Sequence, residues 1–303
     1  GYQAGLENTI GDGNTAIGYN SWYRSSTFQN DNNTFIGYNS GSGDWVTAAS
    51  SNNTAIGKDT MTGAMNASNY NTVIGSGAGA SITQADNCVI MGYTAGDAIT
   101  TQSENTIIGS KAGGALTAAE TTFVGYSAGT VMAGGAGNTA IGYESLATDT
   151  DGNYNVALGF KTLKNITGSD KNVAIGWSAM ANMDDTADNL ANCVAIGYEA
   201  FKGSDTNTTT GASGTTAIGM QALKALTTGA GNIGIGYQAL TSQDDGSYNT
   251  AIGYQALAAV NGGEGANVAI GYQAGLSIDN SASDNNVIIG STAGTGGAAA
   301  MAD

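Results

Sequence analysis

The stretch Asn249-Thr250-Ala251-Ile252-Gly253-Tyr254-Gln255-Ala256-Leu257 decides how this chain is read, because imperfect copies of it recur from end to end. With its residues numbered as positions 1 to 9, the position-5 glycine falls at Gly1, Gly18, Gly37, Gly57, Gly75, Gly92, Gly109, Gly125, Gly142, Gly159, Gly176, Gly197, Gly219, Gly236, Gly253, Gly271 and Gly290. From first to last is 289 residues in 16 steps, about 18 per step, and many steps are 17. A period that short lies below the helical-hairpin repeats and matches one turn of a β-coil. The expected fold is all-β, a parallel β-solenoid of about 17 coils of about 17–18 residues.

Each motif position carries its own expectation. Position 4 is aliphatic or Met in every copy that contains it: Ile17, Ile36, Ile56, Ile74, Met91, Ile108, Val124, Ile141, Leu158, Ile175, Ile196, Ile218, Ile235, Ile252, Ile270 and Ile289. So constant an apolar site is expected to form the structural core, pointing into a shared dry interior. Position 2 alternates between Thr, as at Thr15 and Thr54, and Val, as at Val156 and Val194. It lies on the same side of a strand as position 4 and is expected to share that interior. Position 3 faces the other way and is mostly Ala, with Phe35, Ile107, Phe123 and Ile288 among the exceptions. A strand apolar on both faces is usually covered on both, so a partner surface is expected over position 3.

Position 1 is nearly always Asn, a residue able to link rung to rung as a hydrogen-bonded ladder. The position-5 glycines, among them Gly18, Gly37, Gly57, Gly142, Gly176 and Gly253, fit a bend where a Cβ would clash or φ is positive. Position 8 is Ala, Ser or Thr, implying a second corner with room only for a small side chain. Position 9 is Gly in much of the first half, turns to Leu, Met or Phe from Leu146 to Leu257, then returns to Gly275 and Gly294, which reads as a change in coil cross-section. A single coil buries too little to offset the entropy of ordering it, so stability must be collective. We expect one continuous repeat domain over 1–294, a rod of roughly 80 Å at β spacing, and a Gly/Ala-rich flexible tail over 295–303.

Composition narrows the function. The chain has 48 Gly, no Pro and no His, and 8 basic against 24 acidic residues give a formal net charge of -16. A phosphate backbone would be repelled over most of such a surface, so nucleic acid is not an expected partner. No apolar run is long enough for a membrane span, and membrane insertion is not expected. Without His, Ser-His-Asp hydrolysis and His-based metal sites are excluded. The acid pairs Asp184-Asp185 and Asp244-Asp245 satisfy the minimum for glycosidase chemistry but read better as solvated turns, and no catalytic residue is assigned. No cofactor is expected, and the weak metal candidate is a calcium site at Asp149, Asp151 and Asn153.

Position 6 is aromatic in most coils, a row that either stacks upon itself or binds sugar rings. Trp22, Trp45 and Tyr23, beside a longer loop, are candidate ligand contacts. The Thr column has the look of an ice-binding array, but Val and Ile233 interrupt it, which favours interior packing. Cys88 and Cys193 both occupy position 1, six coils apart at roughly 29 Å, too far for an intrachain disulfide.

The unbroken copy at Asn249 to Leu257 resembles the repeat of phage tail-fibre-like proteins, and its Asn-x-Ala-Ile-Gly core is similar to the head repeat of trimeric autotransporter adhesins. That resemblance spans nearly the whole chain. It implies a left-handed β-roll, a homotrimer, an extracellular, cell-surface or virion location, and a structural and adhesive role. A homopolymeric filament and a glycan-binding or glycan-depolymerising spike stay open as alternatives.

Overall fold

The computed structural model describes residues 1–7, 10–23, 28–45, 48–183, 190–203, 211–260, 263, 265–276 and 284–295. They fold as an all-β parallel solenoid in two compact units, Gly1–Asp151 and Gly152–Asp303. In the first unit β1 (Thr15–Ile17), β2 (Thr34–Ile36), β3 (Thr54–Ile56), β4 (Thr72–Ile74), β5 (Val89–Met91), β6 (Thr106–Ile108), β7 (Thr122–Val124) and β8 (Thr139–Ile141) form one parallel ladder in sequence order. In the second, the ladder runs through β9 (Val156–Leu158), β11 (Val173–Ile175), β13 (Val194–Ile196), β14 (Thr216–Ile218), β15 (Ile233–Ile235), β16 (Thr250–Ile252), β17 (Val268–Ile270) and β18 (Val287–Ile289). The short strands β10 (Asn165–Ile166) and β12 (Asn182–Met183) pair separately.

Seven in-register pairings in each ladder make about fourteen turns stacked on a neighbour, slightly fewer than the coils counted from the motif glycines. Each motif position pairs with the same position in the next coil: Ile36 with Ile56, Phe35 with Ala55, Thr34 with Thr54. The expected tail at 295–303 lies, apart from Thr295, outside the described residues.

The local chemistry of the motif produces the coil. At position 5, φ is near +140°, and a Cβ on Gly109 would strike the carbonyl of Gly125 in the next coil. Only glycine serves where both conditions hold. Positions 7 and 9 and the residue preceding position 1 are left-handed, as at Gln255, Leu257 and Tyr248, so each short strand is followed by a corner in place of a longer strand. The small position-8 residues sit inside that corner: Ala95, Ala112 and Ala239 are fully buried, and Ser40 donates its Oγ to the Ala55 carbonyl at 2.9 Å.

The asparagine ladder is present, with side chain bonded to backbone. Asn33 accepts at Oδ1 from the Asn53 N–H at 2.9 Å and donates Nδ2 to the Ser50 carbonyl at 2.9 Å. Asn53 repeats the pattern toward Asn71 and Ser68. These amides are fully buried, so each one satisfies backbone groups that would otherwise be orphaned in the interior.

The interior is the reverse of the expected one. Position 3 is the core: Phe35, Ala55, Val73, Ile90, Ile107, Phe123, Ala140 and Ala157 have no solvent exposure. The position-4 residues assigned to the core, namely Ile17, Ile36, Ile56, Ile74, Ile108, Ile141, Ile175, Ile196, Ile218, Ile235, Ile252, Ile270 and Ile289, are half-buried or exposed, as are their position-2 neighbours. Strand periodicity explains the inversion, because position 3 shares its face with the buried Asn at position 1, which leaves 2 and 4 outside.

Position 3 varies because it exchanges volume with position 9. Phe123 meets Gly129, Ile107 meets Gly113 and Val73 meets Gly79, whereas the small Ala140, Ala157 and Ala217 are accompanied by the buried Leu146, Leu163 and Leu223. A Cβ on Gly129 would enter the Phe123 ring. The switch from Gly to Leu at position 9 thus keeps the interior filled. Ala269 with Gly275 is the pair that does not follow this rule.

Candidate functional surface

Turning positions 2 and 4 outward gives each ladder a face made of two columns, Thr, Val or Ile in one and Ile, Leu, Met or Val in the other. No residue in either column is charged, although the chain as a whole carries a net charge of -16. Among the large apolar residues of these columns exposure is greatest on the first and last strands, at Val287, 71%, Ile289, 67%, and Ile17, 55%. The Thr column that interior packing was expected to explain is therefore on the surface, with its hydroxyl row broken by Val89 in the first unit and by Val and Ile residues in the second.

Past the glycine bend, position 6 forms an aromatic column along the edge of this face. Tyr2, Tyr19 and Tyr38 stack at 5.4 Å, Tyr126 and Tyr143 at 5.3 Å, Phe160, Trp177 and Tyr198 at 5.7 and 4.8 Å, and Tyr237, Tyr254 and Tyr272 at 4.9 and 5.3 Å. All these pairs lie within 16° of parallel. The spacing is that of the strands, so the ladder itself presents ring to ring. Within a stacked run each ring covers its neighbour's face, leaving edges and hydroxyls to solvent.

Position 7 adds a polar column that the sequence reading did not single out. Gln273 donates Nε2 to Gln255, Gln255 to Gln238 and Gln238 to Gln221, each at 2.9 Å, and Gln221 donates to Glu199 at 3.0 Å. Glu199 also receives Lys224 Nζ at 2.6 Å and lies 3.8 Å from Lys202 Nζ. Partial burial pushes the Glu199 carboxyl up, but the hydrogen bonds from Lys224 and Gln221 and the two lysine charges more than reverse this, holding it below the usual glutamate range. The recurrence of Gln at 221, 238, 255 and 273 was the available signal.

The expected site residues do not converge. Trp22 and Trp45 are core residues: both are buried, packed against each other at 5.9 Å and against Phe35 at 6.0 and 5.3 Å. Trp22 stands at position 9, where the side chain turns inward, and no ligand contact is available to either indole. Neither indole N–H has a hydrogen-bond partner among the described residues. Tyr23 is half-buried.

Of the calcium candidates, Asp149 is buried, Asp151 is exposed and accepts from Thr150 Oγ1 at 3.0 Å, and Asn153 donates Nδ2 to Asp170 at 3.2 Å. Among the described residues no group of three or more acidic or thiol side chains is placed to hold a metal ion. Asp184 and Asp185 lie outside the described residues. Asp244 and Asp245 are exposed in a turn, where partial burial first and the Asp244 charge second push the Asp245 carboxyl up. Cys88 and Cys193 are free and buried, and burial pushes the Cys193 thiol up to about 11. Among the described residues no helix is long and apolar enough to cross a membrane.

No protein-family model matches the chain, and no curated protein matches it.

Proposed function

We propose that the chain is a non-catalytic structural and adhesive fibre segment, a tail-fibre shaft or cell-surface adhesin rod working outside the cell, that assembles laterally with copies of itself as a homotrimer. The observation that carries this reading is the uncharged face of positions 2 and 4. An interface core is depleted of charge in this way, and repetition along each ladder gives a flat surface that two like chains can match rung for rung. Eight strands at about 4.8 Å by two side-chain columns offer about 500 Å² of such surface in each unit, and a standard interface takes about 800 Å² per partner. The unbroken run of aliphatic or Met side chains at outward position 4 is accounted for, since a contact repeated at every rung constrains it at every rung.

The test is particle mass by light scattering in native buffer, where three chains per particle are expected. Ile108→Lys, on the outward face of β6, should yield folded monomers with unchanged circular dichroism. Ile107→Lys, one residue away and fully buried, should unfold the protein, because an unpaired interior charge costs several kcal/mol. A monomeric parent chain defeats the reading, and particles far longer than one chain would move it to an end-to-end filament.

A further inference from the structure

Beyond self-assembly, the geometry points to a glycan-binding slot at an interrupted rung of the aromatic column, between Tyr93 and Tyr126, where position 6 is Ser110. The slot takes one pyranose ring between the two tyrosine faces, with a carboxylate-bearing sugar favoured. This inference rests on the attachment part of the proposed function and is independent of the assembly part.

Inside a stacked run no ring face is free, and a sugar needs one, so only the ends of runs and the interrupted rungs can offer it. In the first unit the column is interrupted at Lys58, Ser76 and Ser110, and in the second at Met220, and beyond Tyr272 it gives way to Ser291. The interruptions differ. At Lys58 the ammonium lies 5.9 Å from the centre of the Tyr38 ring and covers it. At Ser76 only one flanking residue, Tyr93, is aromatic, and in the second unit the rung between Tyr198 and Tyr237 carries the long Met220 side chain. Ser110 is the one interruption among the described residues with a tyrosine on both sides and a side chain too short to fill the space.

The register places these groups in one column. Met91 pairs with Ile108 and Ile108 with Val124, and just beyond the bend the Lys111 N–H donates to the Tyr93 carbonyl at 2.9 Å and the Ser127 N–H to the Ser110 carbonyl at 3.0 Å. Tyr93 and Tyr126 are thus two rungs apart, about 10 Å. Filled rungs hold rings 4.8–5.7 Å apart, so the empty rung has room for one ring and no more. Tyr93, with Ser76 and Ser110 on its two sides, is 58% exposed against 45% for Tyr19, which is stacked on both sides; Tyr126, which stacks on Tyr143 on its far side, is 44% exposed.

The rim selects the class of occupant. Thr94, Lys111 and Ser127 at position 7 and Ser110 at the floor offer three hydroxyls and an ammonium around two aromatic walls. A pyranose presents apolar C–H faces to such walls and hydroxyls to such a rim, whereas an aromatic side chain would leave the rim groups unmatched. Lys111 is exposed and belongs to none of the ion pairs among the described residues, so a sugar carboxylate has a cationic partner there.

Saturation-transfer NMR on the full chain, with methyl β-glucopyranoside and methyl β-glucuronide as probes, tests the slot. Both sugars should receive saturation, the glucuronide binding several-fold tighter at low salt and losing that advantage in Lys111→Met. Ser110→Tyr, which completes the column, and Tyr93→Leu, which removes a wall, should each weaken binding at least tenfold while particle mass stays that of the parent. Met220→Ser, which opens a comparable rung between Tyr198 and Tyr237, should add a second site per chain. The inference is overturned if neither sugar is saturated, if Ser110→Tyr binds as the parent does, or if N-acetyltyrosine amide is saturated and the sugars are not. Particle mass from the same samples reports separately on assembly.

Discussion

Exchange of volume between positions 3 and 9 can be broken and then restored in a single coil. Phe123→Ala removes a fully buried ring from the first unit and, as a large-to-small core change, should cost about 3–5 kcal/mol. Gly129→Leu alone should also destabilise, by about 1–3 kcal/mol or more, because its Cβ would enter the Phe123 ring. The left-handed backbone at 129, with φ of 58°, is not itself the obstacle, since Leu146 holds φ of 52° at the same motif position one coil on. Combining the two changes recreates the Ala140 and Leu146 pairing of that next coil and should cost less than about 1.5 kcal/mol. The coupling between the sites is then at least about 2.5 kcal/mol in the favourable direction. Urea unfolding of the four proteins, followed by circular dichroism at one fixed chain concentration, measures it. A double variant no more stable than Phe123→Ala would refute the claim that the two positions share one filled interior.

Two further outcomes follow from the ladder. Gly109→Ala should cost about 3 kcal/mol or more through its φ of 142° and collision with the Gly125 carbonyl. Gly114→Ala, where a Cβ meets nothing nearer than 3.5 Å, should change the urea midpoint little; equal losses at both sites would contradict the stacked-backbone account. For Glu199, whose folded carboxyl titrates below its unfolded value, the added stability is present above the ordinary glutamate value of about 4.3 and is lost as pH falls from there through the depressed folded value. The advantage of the parent over Glu199→Gln in urea midpoint should therefore shrink between pH 7 and pH 3, and an advantage that grew on acidification would show the sign to be wrong.

Much of this protein is written in its repeat. The period, the glycine bend, the Asn ladder and the small corner residue each follow from one motif position, because every rung imposes the same local constraint and the chain satisfies it each time. The direction in which the strand faces is not written there. Position 4 is aliphatic or Met in every copy while position 3 varies among Ala, Phe, Ile, Val and Gly, and sequence alone makes the steadily apolar site look like the core.

Only the closed coil shows that position 3 answers to position 9 across the interior, so that variation at one is matched by variation at the other. Trp22 is misread for the same reason: beside a loop in sequence, it is drawn inside by a backbone that turns position 9 inward, where it packs against the buried Trp45. The rung at Ser110 is likewise an ordinary serine in sequence, and becomes a slot only when register sets Tyr93 and Tyr126 on either side of it. Periodicity fixes which residues share a column, because a column is a fact about spacing. Which columns are dry, which are open and which face one another depends on how the turn closes in space, and that the tertiary structure alone decides.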